Sequence, residues 1–221
     1  MAEQGKVNLD DLAVSVLELF PALNALERRL SLELYRLLSE GDPVPRPTLA
    51  ERVGITVESA NHILDRWPGV ISDSRRQVVG YWGLSLAPTF ASPHQLMIDG
   101  QILSAWCAWD TLFLPQLLGR STTVESRSPI SGATICLTVT PDDVSCVNPP
   151  GAQMSFRLPC GASLQRIVTT FCCFVHFFAS FQAADRWAEQ HSGTFILSIE
   201  EAYDLGRRKN EAQYSEALKL K

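Results

Sequence analysis

The eleven residues Phe171–Phe181, FCCFVHFFASF, are the most apolar run of the chain and place the first constraint on its fold. A membrane-spanning helix needs roughly 20 apolar residues, and this run is shorter and carries His176 at its centre. It reads as core, so the rest of the chain has to supply the layers that cover it. A length of 221 residues allows this, as one large domain or two small ones. With 46% apolar and 19% charged residues, the composition is that of a folded globular protein. The first twenty residues carry Glu3, Asp10, Asp11 and Glu18 and lack the basic start and unbroken apolar core of a signal peptide. A cytoplasmic protein is expected, and its six cysteines are expected as free thiols.

The hydrophobic period changes along the chain. Leu26, Leu30, Leu34, Leu37 and Leu38 recur at helical spacing, and Gly41, Pro43, Pro45 and Pro47 then end the helix. Thr48 is placed to cap a segment Leu49–Val53, Gly54 supplies a tight turn, and Thr56 is placed to cap a helix through Ile63, Leu64 and Trp67. Val70, Ile71, Val78, Val79, Tyr81 and Leu84 flank the polar turn Ser72–Gln77, as a two-stranded wing would. Residues 1–90 therefore read as a winged-helix-like domain. DNA binding does not follow from that fold. This segment has nine basic against twelve acidic residues, and its would-be recognition helix, VESANHILDRW, offers one Arg against two acids. The whole chain carries a net charge of -5, which disfavours phosphate-backbone contacts.

From residue 91 to 221 the pattern is mixed α+β. Strands are expected over His94–Asp99, Thr122–Arg127, Ala133–Val139, Gln153–Leu158, Phe174–Phe178 and Phe195–Ile199. Helices are expected over Gln101–Leu118, as one or a pair kinked at Pro115, over Ser163–Phe171 and Ala183–His191, and from Glu200 onward. The fold class is α+β, with a helical N-terminal part followed by mainly antiparallel strands.

Two segments carry reactive groups among apolar neighbours. In AWCAWD, Cys107 and Asp110 are three apart, so on a helix both lie on one face and converge on one bound atom. Trp106 and Trp109 would exclude water there and raise the carboxyl pKa toward a form able to deliver a proton. The plain alternative is a buried Cys and a helix-capping Asp. In TFCCFVHFFAS, Cys172 and Cys173 on a strand would point to opposite faces, so only one can face a pocket. His176 reads as a hydrogen-bonded core histidine. Cys136, Cys146 and Cys160 share no spacing and read as packing or surface thiols. CxxC, HxxxH, P-loop, GxGxxG, GxSxG and HExxH motifs do not occur, which leaves zinc, thioredoxin-type, nucleotide and serine-esterase chemistry without support.

Taken together, AWCAWDTLFLPQLLGR (105–120), TFCCFVHFFAS (170–180), the loop GDPVPRPTLAERVG and the tail WAEQHSGTFILSIEEAYDLG resemble the alkylmercury (organomercurial) lyases. The resemblance covers most of the chain after about residue 30. It implies a winged-helix-like N-terminal part, a catalytic α+β part over 91–221, and an active site of Cys107, Asp110 and Cys172, with Cys173 a spectator. Two positions depart from the family: Ser128 stands where relatives often have a further cysteine, and Trp109 where many have a smaller aliphatic residue.

The residue types suit that chemistry independently, because thiolates are the side-chain ligands that best bind a soft cation such as Hg(II). Cys107 and Cys172 are expected to grip R–Hg⁺, with Asp110 beside the metal as proton shuttle, giving RH and Hg(II). No organic cofactor or resident metal is expected. The Hg(II) acceptor would be a mercuric reductase or small cytosolic thiols, and neither nucleic acid nor membrane is an expected partner. The rival reading is a winged-helix, thiol-based metal sensor, and a weaker one is a soft-metal chaperone without turnover. A promoter fragment titrated with sub-micromolar protein is therefore expected to show no salt-dependent, sequence-selective shift; such a shift would favour the sensor.

Overall fold

The computed structural model describes residues 8–18, 20–87, 89, 92–158 and 164–219, so Cys160 lies outside the described residues. Helix α1 (Leu9–Leu17) starts at Asn8, whose side chain accepts the Asp10 N–H. Helix α2 (Ala25–Leu38) starts with a reciprocal capping box between Asn24 and Glu27 and buries Leu30, Leu34 and Leu38, as the leucine spacing predicts. Helix α3 (Arg46–Val53) begins two residues before the expected Thr48 cap. Pro45 and Pro47 preset the backbone there, where a missing N–H leaves no helical bond unmade. Gly54 ends α3 at φ 75°, a left-handed conformation that favours glycine. Thr56 does cap α4 (Val57–Arg66), accepting from the Ser59 N–H.

Strands β1 (Val70–Ser72) and β2 (Val78–Tyr81) then pair antiparallel around a turn in which the Asp73 carboxylate accepts the Arg75 and Gln77 N–H groups. They do not stand alone. With β3 (Leu84–Leu86), β4 (His94–Ile98), β5 (Gln101–Ala105), β6 (Thr122–Arg127), β7 (Thr134–Val139) and β8 (Val144–Asn148) they form one antiparallel sheet. Its order is β1-β2-β3-β5-β4-β6-β7-β8. Successive residues of β6 alternate between buried and exposed, as expected for a sheet with one face on the core.

The expected helix over Gln101–Leu118 is replaced by three elements. Gln101–Ala105 is β5, inserted between β3 and β4; Trp106–Trp109 is a turn; and Asp110–Leu118 is α5, which runs through Pro115. A short apolar run does not by itself distinguish strand from helix. The decision comes from Asp99–Gly100, with φ values of 48° and 85°, which join β4 to β5 as the two-residue hairpin turn that an Asp-Gly pair favours.

The chain continues through β9 (Gln153–Arg157), α6 (Leu164–Thr170), a 3-10 turn (Cys172–Phe174), β10 (Phe177–Phe178) and α7 (Phe181–Gln190). It ends with β11 (Thr194–Ser198), α8 (Ile199–Tyr214) and α9 (Glu216–Lys219). The strand expected over Phe174–Phe178 is thus confined to its last two residues, because the cysteine pair is wound into the turn. Strand β9 lies between β10 and β11 in a second antiparallel sheet. Helix α8 packs against α1, α5 and β11 and closes the core around Trp109, Phe113 and Phe156. Among the described residues no helix is long and apolar enough to cross a membrane.

Candidate active site

The site forms where β5 ends. Ala105 pairs with Leu84 on one side and His94 on the other. Beyond it the Trp106 N–H donates to the Gly83 carbonyl (3.0 Å) and the Ala108 N–H to the Val175 carbonyl (3.1 Å). The turn is thereby pinned both to the β2–β3 connection and to the segment just after the Cys172–Cys173 pair. Asp110 is the first residue of α5, and its Oδ2 accepts the Cys107 N–H at 2.8 Å. A carboxylate at a helix N-terminus is favoured by the helix dipole. Asp110 does not cap α5, whose N-cap Trp109 has no side-chain cap hydrogen bond; the carboxylate instead accepts from the Cys107 N–H upstream of the helix. Cys107 and Asp110 do not share a helix face, because Cys107 precedes the helix and the turn brings them together.

Cys107, Asp110 and Cys172 are all buried, and their ligand atoms lie within 4.8 Å of one another. Cys173 is exposed, with its thiol donating to the Thr169 carbonyl at 2.9 Å. The pair occupies a 3-10 turn instead of a strand, and about three residues per turn still send neighbouring side chains in different directions. Cys136 is half-buried in β7 and Cys146 exposed in β8; neither belongs to the cluster. His176 is held by packing and hydrogen bonds. Its Nε2 lies 2.9 Å from the Cys173 carbonyl, its N–H donates to Ser155 Oγ, and its ring stacks on His94.

A narrow cleft of about 20 Å³ opens above Asp110 and Cys172. Phe20, Trp82, Trp106, Ile167 and Phe171 form its apolar walls. Trp109, one of the two departures, is fully buried at its base; its Nε1 donates to the Ala202 carbonyl (3.0 Å) and its ring meets Phe113, Phe156 and Phe171 edge-on. Ser128 is buried beyond β6, and among the described residues its hydroxyl has no hydrogen-bond partner.

Burial dominates the electrostatics. It pushes the Cys107 thiol well above its ordinary range, and the neighbouring Cys172 and Asp110 add to the effect. It also raises Asp110 from 3.8 to about 6, against the pull of the Cys107 thiol and N–H and of the Lys209 ammonium. Lys209 is itself lowered from 10.5 to about 7 by burial, with Asp110 drawing it back up.

Two residues near the site lie outside the sequence reading. Gly83 has φ 90°, and a Cβ there would lie 2.5 Å from Asp110 Oδ1, so only glycine lets this backbone approach the carboxylate. Lys209 is fully buried on α8. Its signal is present in the spacing: Ala202, Leu205 and Gly206 continue at helical intervals onto Lys209, which puts a charged residue on the apolar stripe.

The alkylmercury lyase family model matches residues 84–210. An alkylmercury lyase from Staphylococcus epidermidis is 41% identical over 184 residues, covering 83% of this chain and 82% of its own. One from Pseudomonas putida is 37% identical over 177 residues, covering 80% and 81%. Among solved structures, the mercury-bound form of MerB2 shares the fold at a TM-score of 0.70 and 23% identity, covering 93% of this chain and 98% of that one.

Two stability measurements test this geometry. Gly83→Ala is expected to lose at least about 2 kcal/mol in urea unfolding, from the left-handed backbone and the collision with Asp110; an unchanged midpoint would contradict the close approach. The second concerns pH. The folded state binds the Asp110 proton more tightly than the unfolded chain, so that contribution is present at acid pH and is lost as pH rises from about 4 through about 6. Asp110→Asn removes the dependence, and its stability relative to the parent is expected to rise by about 3 kcal/mol across that window. A pH-independent difference would contradict a buried, ionisable carboxyl.

Proposed function

The chain belongs to the alkylmercury lyase family, and from that premise we propose that Cys107, Cys172 and Asp110 carry out the protonolysis of a carbon–mercury bond. The observation that supports this assignment most directly is the meeting of two thiols and a carboxyl within 4.8 Å beneath an apolar cleft. The thiols are soft donors for the mercury of the substrate, the apolar walls suit its organic group, and the carboxyl is the proton carrier.

The step balances with these groups alone. Cys172 exchanges its proton for R–Hg⁺, giving R–Hg–S and releasing H⁺. Burial keeps Cys107 as a thiol, so a proton is still in the site when mercury arrives. As the Cys107 sulfur bonds mercury, its proton passes to Asp110, and Asp110 delivers it to carbon. The C–Hg bond breaks with its electron pair going to the new C–H bond. The products are RH and mercury held by both sulfurs. Raised by burial to about 6, Asp110 can both accept and donate a proton around neutrality. This route uses no organic cofactor and no resident metal; mercury is substrate and leaves to an acceptor, a mercuric reductase or small cytosolic thiols.

We read residues up to about 90 as a winged-helix-like part that serves as scaffold and cover for the site. Helices α2 to α4 followed by the β1–β2 hairpin support that reading, as do Phe20 and Trp82 in the cleft wall.

Incubation with phenylmercury and excess thiol is expected to release benzene over many turnovers, whereas mercury binding without hydrocarbon would support a sensor or chaperone. Cys107→Ser and Cys172→Ser are expected to be nearly inactive, and Cys173→Ser to stay within several-fold of the parent. Asp110→Ala should still bind organomercurial, seen by mass spectrometry, while releasing hydrocarbon ~10²- to 10⁴-fold more slowly. Full single-turnover release by Asp110→Ala would remove it from the proton path.

A further inference from the structure

Lys209 has no role in the reaction as derived so far, yet it is one of the most deeply buried side chains of the protein. Lysine is almost never fully buried unless its charge is compensated. Among the described residues the ammonium makes a single side-chain hydrogen bond, to Asn210 Oδ1 at 3.1 Å. Its other neighbours are aromatic faces: Phe113 with its centroid at 4.1 Å, Phe20 at 4.2 Å and Tyr214 at 5.8 Å. Asn210 is itself fixed, because its Nδ2 donates to the Phe113 carbonyl and to Gln116 Oε1, both at 2.9 Å. The charge is thus held in one place by contacts to α5.

That place is set by close packing of α8 on α5. One turn before Lys209, a Cβ on Gly206 would lie 2.7 Å from the Phe113 Cβ, so the two helices approach as only a glycine allows. Phe113 is three residues after Asp110, on the same face of α5. Phe20, the other ring against the ammonium, also lines the cleft above Asp110 and Cys172. Lys209 therefore sits behind the cleft wall, against the ring of Phe113, which is one helical turn along α5 from Asp110, in an environment without solvent.

We propose that Lys209 is a positioning residue for the lyase reaction: its fixed ammonium stabilises the carboxylate that Asp110 becomes when its proton passes to the substrate carbon. This rests on the proton-path assignment given above. A preorganised charge aimed at the atom where charge develops acts most strongly in a dry site and needs no rearrangement during the step. Mercury capture by the two thiols creates no such demand, so Lys209 should affect the chemical step and leave binding unchanged. The mutual electrostatic pull of Lys209 and Asp110 supports the same link.

The test uses the full chain with Lys209→Met and Lys209→Gln, each mixed with phenylmercury and quenched during a single turnover. Both variants keep most of the side chain's volume and are expected to fold with lowered thermal midpoints, since removing one partner of a buried charged pair costs stability, so release is compared at equal folded fraction. Both should bind one phenylmercury per chain with unchanged KM. Benzene release should slow at least tenfold, toward the ~10²- to 10³-fold seen when one preorganised electrostatic partner is lost. In an Asp110→Asn background, Lys209→Met should slow the residual release no further, because its effect passes through the carboxyl. Release within threefold of the parent at equal folded fraction would overturn the proposal. So would loss of fold in both variants, which would mark Lys209 as a structural anchor. Absence of benzene from the parent itself would instead overturn the lyase reading.

Discussion

The 2.8 Å hydrogen bond from the Cys107 N–H to the Asp110 carboxylate closes the turn between β5 and α5 and aims both side chains at the same small volume. It satisfies a buried backbone donor of the turn, and it places negative charge at the helix N-terminus, where the dipole favours it. The same turn donates N–H groups to Gly83 and Val175, so the strand connection on one side and the cysteine turn on the other are registered against it. Cys172 reaches the site because Val175, three residues later, is tied to Ala108. Gly83 can hold Trp106 only because it has no Cβ to strike the carboxylate.

This arrangement works against burial. Two thiols, a carboxyl and an ammonium lie beneath or behind Phe20, Trp82, Trp106 and Phe171. The apolar surroundings keep the Cys107 proton on its sulfur and bring Asp110 and Lys209 from opposite ends of the pH scale toward neutrality. What costs stability is also what a protonolysis needs: a proton stored close to the metal, a carrier able to take and give it, and little water to compete.

Much of this was legible in the sequence because the informative residues are few and chemically distinct. Cys107, Asp110 and Cys172 stand out as reactive groups in apolar runs, and the Thr56 cap of α4 and the turn at Gly54 follow local rules. The path between them was less legible. Helical spacing and an interior strand are alike over Gln101–Ala105, and the distinguishing signal is the Asp99–Gly100 turn outside that run. The Cys172–Phe174 turn is too short for periodicity to show, although its outcome, one thiol inward and one outward, matches what a strand would give. Gly83 matters through its close approach to Asp110, 27 positions away, and Lys209 through its electrostatic pull on the same carboxyl, 99 positions away, both of which only the tertiary structure supplies.

The central claim is that Cys107 and Cys172 alone grip mercury. It is tested most directly by mercury-edge X-ray absorption on the product complex of a protein in which Cys136, Cys146, Cys160 and Cys173 are all replaced by serine. The account predicts one mercury per chain with two sulfur neighbours, and one sulfur after the further change Cys172→Ser. Substoichiometric mercury, or a two-sulfur site that persists without Cys172, would contradict it.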